Sequence, residues 1–149
     1  MKSIFYFLIV FMLVSSCRDN VPGTIQKEVI SLDGNSAGRP YSPAIRAGNT
    51  LYISGQIAID PSSGEFVEGG IAEQTEQVLK NINALLKKAG FSMGDVVKCN
   101  VLLSDIEYYT PMNSVYSSWF SSDPPARKAF AVKDLPRGAL VEIDAIAIK

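Results

Sequence analysis

The segment Pro125-Ala126-Arg127-Lys128-Ala129-Phe130, followed by Val141-Glu142-Ile143, sets one arginine and one glutamate on consecutive extended stretches of a chain that contains no histidine. A guanidinium reads a small carboxylate through two parallel hydrogen bonds. A glutamate beside it can orient or deprotonate a water molecule. Without histidine neither a Ser-His-Asp nor a Cys-His arrangement can form, and a transition-metal site loses its commonest ligand. The available chemistry therefore rests on carboxylate, guanidinium, hydroxyl and backbone groups. The pattern predicts Arg127 and Glu142 on neighbouring strands, with Arg127 either gripping an anionic ligand or pairing with Glu142 across the sheet.

These side chains need a scaffold, and the hydrophobic pattern supplies one. A strand is predicted over 24–32, through Ile25, Val29 and Ile30, with a turn cluster at 33–38. Residues 44–47 and 50–55 flank Gly48-Asn49, a two-residue turn of the kind hairpins prefer. Residues 57–59 are expected to extend the sheet before a turn at 60–64. Ile71, Thr75, Val78, Leu79, Ile82, Leu85, Leu86 and Ala89 recur with the helical period. Gly90 stands where a C-terminal cap belongs, behind Lys87 and Lys88.

Residues 95–104 read as a strand with Val97, Cys99, Val101 and Leu103 on one face and Lys98, Asn100 and Ser104 on the other. Thr110-Pro111 reads as the N-cap and first-turn proline of a second helix. Its buried stripe is Met112, Val115, Tyr116, Trp119 and Phe120, and 121–125 stops it. Strands follow over 127–132 and 138–148. In the last, Val141, Ile143, Ala145 and Ala147 suit packing under helices. Glu142, Asp144, Ile146 and Ile148 mix charge with apolar bulk, a face that suggests contact between subunits. The order predicts an α+β layer, one mixed sheet with two helices on one face.

Residues 1–16 read as a leader. Lys2 precedes an apolar run over 4–14, too short for a spanning helix, which needs ~20 residues, but of the length of a signal-peptide core. Val14-Ser15-Ser16-Cys17 resembles the bacterial lipobox, in which the cysteine is lipidated and becomes the first mature residue. The expected organisation is a leader over 1–16, a tether over 17–23 starting at lipidated Cys17, and one domain over 24–149. This places the protein in the bacterial cell envelope, held by acyl chains on the periplasmic side of the inner or outer membrane. An ordinary secretory signal with a chance cysteine, or an uncleaved apolar start on a cytoplasmic protein, are the other readings. With Cys17 acylated, Cys99 is the one remaining thiol, so no disulfide forms within the chain. The net charge of −1 and the lack of a basic stretch argue against a nucleic-acid partner.

Four blocks, in order, resemble the Rid family of imine and enamine deaminases, also called YjgF-like. They are Pro40-Tyr41-Ser42-Pro43-Ala44; Leu51-Tyr52-Ile53-Ser54-Gly55-Gln56; the second helix from Met112-Asn113 to Trp119-Phe120; and Pro125-Ala126-Arg127 with Leu135-Pro136 and Val141-Glu142-Ile143. The resemblance runs from Tyr41 to Ile148. It implies a chorismate-mutase-like α+β fold, a homotrimer with active sites between subunits, and no cofactor. The implied reaction hydrolyses small 2-imino acids, such as 2-iminopropanoate and 2-iminobutanoate, to 2-keto acids and ammonia.

Carried over by position, Arg127 would hold the substrate carboxylate. Glu142 would position water and shuttle protons, and Tyr41 would close over the pocket. Asn113 would orient the site, or be purely structural. Ser54, Gly55 and Gln56 would bring a strand end against the ligand, although a bulge accounts equally for Gly55. Two departures stand out. Ala129, on the face of Arg127, replaces a frequent cysteine, and Arg39-Pro40 replaces Gly-Pro. Lys128 should point away from Arg127, and Cys99 reads as a small core residue. The implied partners are the substrate, further copies of the chain, and a membrane through Cys17. A second class of function remains compatible: a non-catalytic envelope protein that binds a small carboxylate metabolite or a protein partner.

Overall fold

The computed structural model describes residues 26–32, 40–120 and 122–149. The expected leader over 1–16, the expected tether with Cys17, Arg39 and the turn expected at 33–38 lie outside the described residues. Six strands form one sheet: β1 Lys27–Ile30, β2 Ala44–Ala47, β3 Thr50–Gln56, β4 Val96–Leu103, β5 Ala126–Ala131 and β6 Val141–Ile148. The spatial order is β1-β2-β3-β6-β4-β5. Every neighbouring pair is antiparallel except β4 and β5, which run parallel. Helices α1 Ile71–Lys88 and α2 Tyr109–Trp119 cover one face.

The periodic apolar residues of α1 are the ones it buries: Val78, Leu79, Ile82 and Leu86 are inaccessible to solvent and Leu85 is nearly so. At its start the Gly70 amide donates to the Glu73 carboxylate at 2.8 Å, a side chain reaching back to an otherwise unpaired N–H. At its end Gly90 takes φ 80, the Phe91 amide donates to the Leu86 carbonyl, and the Gly90 amide donates to that of Lys87. This is the left-handed glycine cap expected there. Beneath the helices, Val141, Ile143, Ala145 and Ala147 of β6 are buried beside Cys99, Val101 and Leu103 of β4 and Leu51 and Ile53 of β3. Trp119 of α2 donates its indole N–H to Glu76 of α1 at 2.8 Å, fixing one helix against the other.

Four expectations are corrected. Residues 57–59 do not extend the sheet: β3 ends at Gln56, and Ile59 makes only an isolated bridge with Phe66. The Asn81 amide of α1 donates to the carbonyls of both Ile57 and Ile59, at 3.2 and 2.8 Å, taking the place of a strand partner. In β4, Val96 rather than Val97 joins the core face, because the register against β6 slips by one residue between Val96 and Lys98 and leaves Val97 exposed. The second helix starts at Tyr109, not beyond Thr110. A 3-10 turn over Ile106–Tyr108 leads into it, and Asp105 accepts from the Glu107 amide at 2.9 Å. Finally, β4 lies between β5 and β6, so Arg127 and Glu142 are not on neighbouring strands.

The other sheet face is uncovered by any described element. It carries Val29, Tyr52, Phe130 and Ile148, all exposed, together with Ile146, Glu142 and Asp144. The register places Val29, Ile45, Tyr52 and Ile146 in one row across four strands.

The entry of β6 is tied to α1 by a buried polar contact, in which Gln74 Oε1 accepts from the Leu140 amide at 2.9 Å. Glu142 follows two residues later. Gln74→Leu leaves that amide without its acceptor and is expected to destabilise the fold by about 1–3 kcal/mol. Urea unfolding followed by the fluorescence of Trp119, the single tryptophan, measures it.

Candidate active site

Arg127 is the second residue of β5, aligned with Cys99 of β4, which in turn faces Ala145. Residues aligned across a sheet share a face, so Arg127 extends to the helix side. There its guanidinium carbon lies 4.5 Å from the centre of the Tyr116 ring and 5.9 Å from that of Tyr109, both on α2. Among the described residues no carboxylate lies within ion-pair distance of it, so the alternative of an Arg127–Glu142 pair does not hold. Arg127 and Asn113 line an open cavity of about 630 Å³ with Thr110, Ser117 and Pro125. Ala129 shares the face of Arg127, aligned with Val101, and packs against the core. Lys128 points the other way, toward the ring of Phe130.

Glu142 aligns with Leu102, three residues along β4 from Cys99. Three is odd, so Glu142 sits on the uncovered face, opposite Arg127. Its carboxylate fits against Gly55, where an added Cβ would collide with it. The bulge reading of Gly55 holds, and the group that approaches its backbone here is Glu142. The register between β3 and β6 gains one residue between Ile53 and Gln56, a bulge, and the missing side chain makes room for Glu142. The bulge is braced from several sides. Gln56 Nε2 donates to the Ser54 carbonyl at 2.9 Å, Ser54 Oγ donates to the Ser42 carbonyl at 2.7 Å, and the Ser54 amide donates to the Pro43 carbonyl at 3.0 Å. These bonds hold the segment bearing Tyr41 next to the strand end. Tyr41, Gly55 and Gln56 line a second cavity, of about 610 Å³, with Asn81, Pro136 and Arg137.

The residues singled out from sequence therefore fall into two groups. Tyr41, Ser54, Gly55, Gln56 and Glu142 cluster at the end of β3. Arg127 and Asn113 cluster at the start of β5. The sequence reading treated Tyr116 as core and did not single out Tyr109. Their spacing of seven, which puts both on one side of α2, was the available signal. It also gave no role to Asp144, which neighbours Glu142 on the same face and accepts from Asn100 Nδ2 at 2.8 Å.

Electrostatics differ between the groups. Burial, and then the Asp144 charge, push the Glu142 carboxyl above its ordinary value of 4.5. Burial likewise raises the Cys99 thiol and the Tyr116 hydroxyl, so both stay neutral beneath Arg127. Among the described residues no group of three or more His, Cys, Asp or Glu side chains could hold a metal ion.

Fold and site together define a small α+β protein whose polar chemistry is shared between one guanidinium and one carboxylate. Comparison with known proteins narrows this. Residues 34–149 match the family model described as endoribonuclease L-PSP. The chain is 53% identical over 110 residues to a RutC family protein of Pyrococcus horikoshii, covering 74% of this chain and 87% of that one. It is 45% identical over 125 residues to human 2-iminobutanoate/2-iminopropanoate deaminase, covering 84% and 91%. A solved structure of a Rid-family protein of unknown function from Yersinia pestis is similar at a TM-score of 0.78 and 43% identity, over 83% of this chain and all of that one. The chain belongs to this family, the Rid or YjgF-like proteins, and has the α+β fold expected of it.

Folding favours protonated Glu142, because its carboxyl is raised in the folded state. Its contribution to stability is full below the ordinary value of 4.5 and is lost as pH rises through the raised one. Glu142→Gln is expected to remove that loss. Its thermal midpoint should gain on wild type between acid and neutral pH, measured by melts across that range.

Proposed function

We propose that this chain hydrolyses small 2-imino acids, 2-iminobutanoate and 2-iminopropanoate among them, to 2-keto acids and ammonia. It does so as a homotrimer in which Arg127 of one copy meets Glu142 and Tyr41 of the next. The 45% identity to a deaminase of that description supports the chemistry. The observation that carries the shared site is that Arg127 and Glu142 leave opposite faces of a single sheet. The uncovered face, with Tyr52, Phe130 and Ile148 exposed beside Glu142, is the surface a second copy would cover.

In this reading Arg127 takes the substrate carboxylate through two N–H donors. Glu142 accepts a proton from water as its oxygen attacks the imine carbon, and returns a proton to nitrogen. The carbon–nitrogen bond of the resulting carbinolamine then breaks as its hydroxyl proton passes through Glu142 to the nitrogen, ammonia leaves, and the carbonyl of the keto acid forms. Gly55 leaves the carboxylate room to do this, and the raised proton affinity of Glu142 suits a group that both takes and gives a proton. Ala129 in place of a frequent cysteine removes no group that the reaction uses. The endoribonuclease description of the family model is a poorer guide here, since an acidic balance without a basic stretch gives RNA little to hold.

Arg127→Ala is expected to abolish acceleration of imine loss when 2-iminobutanoate is generated in a coupled assay. Glu142→Gln should lower kcat by roughly 10²–10⁴-fold. Unfolded together and refolded as a mixture, the two inactive variants should regain about a quarter of the wild-type sites, because random assembly in a ring brings an intact Arg127 to an intact Glu142 at that frequency. No regain, or a monomer by light scattering, refutes the shared site. Equal imine loss with and without wild-type protein refutes the deaminase and leaves a carboxylate binder.

We further propose that Cys17 is lipidated and anchors the protein in the cell envelope, on the strength of the apolar run and the Ser15-Ser16-Cys17 sequence. Cys17→Ser should stop incorporation of labelled fatty acid in cells. Label retained by that variant refutes the anchor.

A further inference from the structure

Arginine on an edge strand has many rotamers, and something has to select one before it can serve as a fixed anion receptor. A carboxylate would select one but would also neutralise the charge and compete with the substrate. An aromatic face selects one at no such cost. Stacked on a ring, the guanidinium keeps its in-plane N–H donors free for a planar oxyanion. Arg127 has the second arrangement, with Tyr116 at 4.5 Å, Tyr109 at 5.9 Å and no carboxylate partner among the described residues.

Tyr116 is itself immobile. It is 5% exposed, and its ring is tilted against Phe120 at 4.7 Å between centres. Its hydroxyl is sealed from solvent against the Cys99 thiol, a weak partner that it meets without good hydrogen-bond geometry, and has no other partner among the described residues. A buried hydroxyl whose one neighbour is a poorly aligned thiol contributes little that phenylalanine would lose. The part of the side chain that works here is therefore the ring.

We infer that Tyr116, with Tyr109 beside it, is a positioning residue for Arg127: its ring is the platform that holds the guanidinium aligned and uncompensated for an incoming carboxylate. The inference rests on the carboxylate-binding role proposed above for Arg127.

The test is titration calorimetry with 2-oxobutyrate on wild type, Arg127→Ala, Tyr116→Leu and Tyr116→Phe, with a thermal melt of each. Tyr116→Leu should raise Kd by about 3- to 30-fold. It should raise the KM for 2-iminobutanoate by a similar factor, while kcat stays within about twofold. Tyr116→Phe, which restores the ring alone, should recover most of the lost binding and melt no lower than wild type. A folded Tyr116→Leu that binds as wild type does overturns the inference. So does a Tyr116→Phe that loses as much as Tyr116→Leu, since that would assign the role to the hydroxyl. Should Tyr116→Leu fail to fold, Tyr109→Leu, at a position 40% exposed, takes its place. It should weaken binding by about twofold or more, and unchanged binding overturns the inference there. The two levels separate cleanly. Absence of binding by wild type defeats the role of Arg127 itself, whereas binding lost in Arg127→Ala and intact in Tyr116→Leu defeats only the platform.

Discussion

The alternation of side chains along a strand governs this molecule more than any single contact. Arg127 is in register with Cys99 and Glu142 with Leu102, and the odd separation of those two partners on β4 sends the two candidate side chains to opposite faces. No rotamer change can reunite them. A one-residue slip of either strand would do so only by turning its side chains over, exposing in β6 Val141, Ile143, Ala145 and Ala147, which are now buried. The separation of Arg127 from Glu142 is therefore held by the same energy that holds the core. The uncovered face belongs to the same logic, because the strand that presents Glu142 also presents Asp144, Ile146 and Ile148.

Within that frame the two halves treat charge differently. On the helix side a permanent cation rests on neutral, buried groups, with Tyr116 above Cys99, and draws its order from packing. On the open side a carboxylate sits near a second one, and its proton affinity rises with burial and repulsion. Asn100 donates to Asp144 and fixes that second charge in place. The first half suits permanent attraction of an anion, the second suits reversible proton traffic.

Much of this was legible in the sequence wherever periodicity and composition dominate. Helix α1 was readable along its length, because its stripe, its basic last turn and its glycine cap agree. The hairpin at Gly48-Asn49 and both faces of β6 were readable for the same reason. The misreadings share a cause, a long-range partner overriding a local pattern. Ile57 and Ile59 look like strand but bond to Asn81, more than twenty residues away. Val97 looks inward until the register against β6 shifts. Arg127 and Glu142 look adjacent because their strands are consecutive in the chain, whereas β4, which precedes both in sequence, inserts between them. Tyr116 looked like core, and it is core, but one side of its ring lies against Arg127.

The back-to-back placement of the two charged groups also bears on where chemistry can begin. A lone copy presents a guanidinium on one side and a carboxylate on the other, with a sheet between them. In the assembly proposed above, turnover per molecule would depend on concentration: dilution far enough to separate the copies would silence the protein while every helix and strand stayed intact. A newly made chain would be chemically quiet until it found its neighbours.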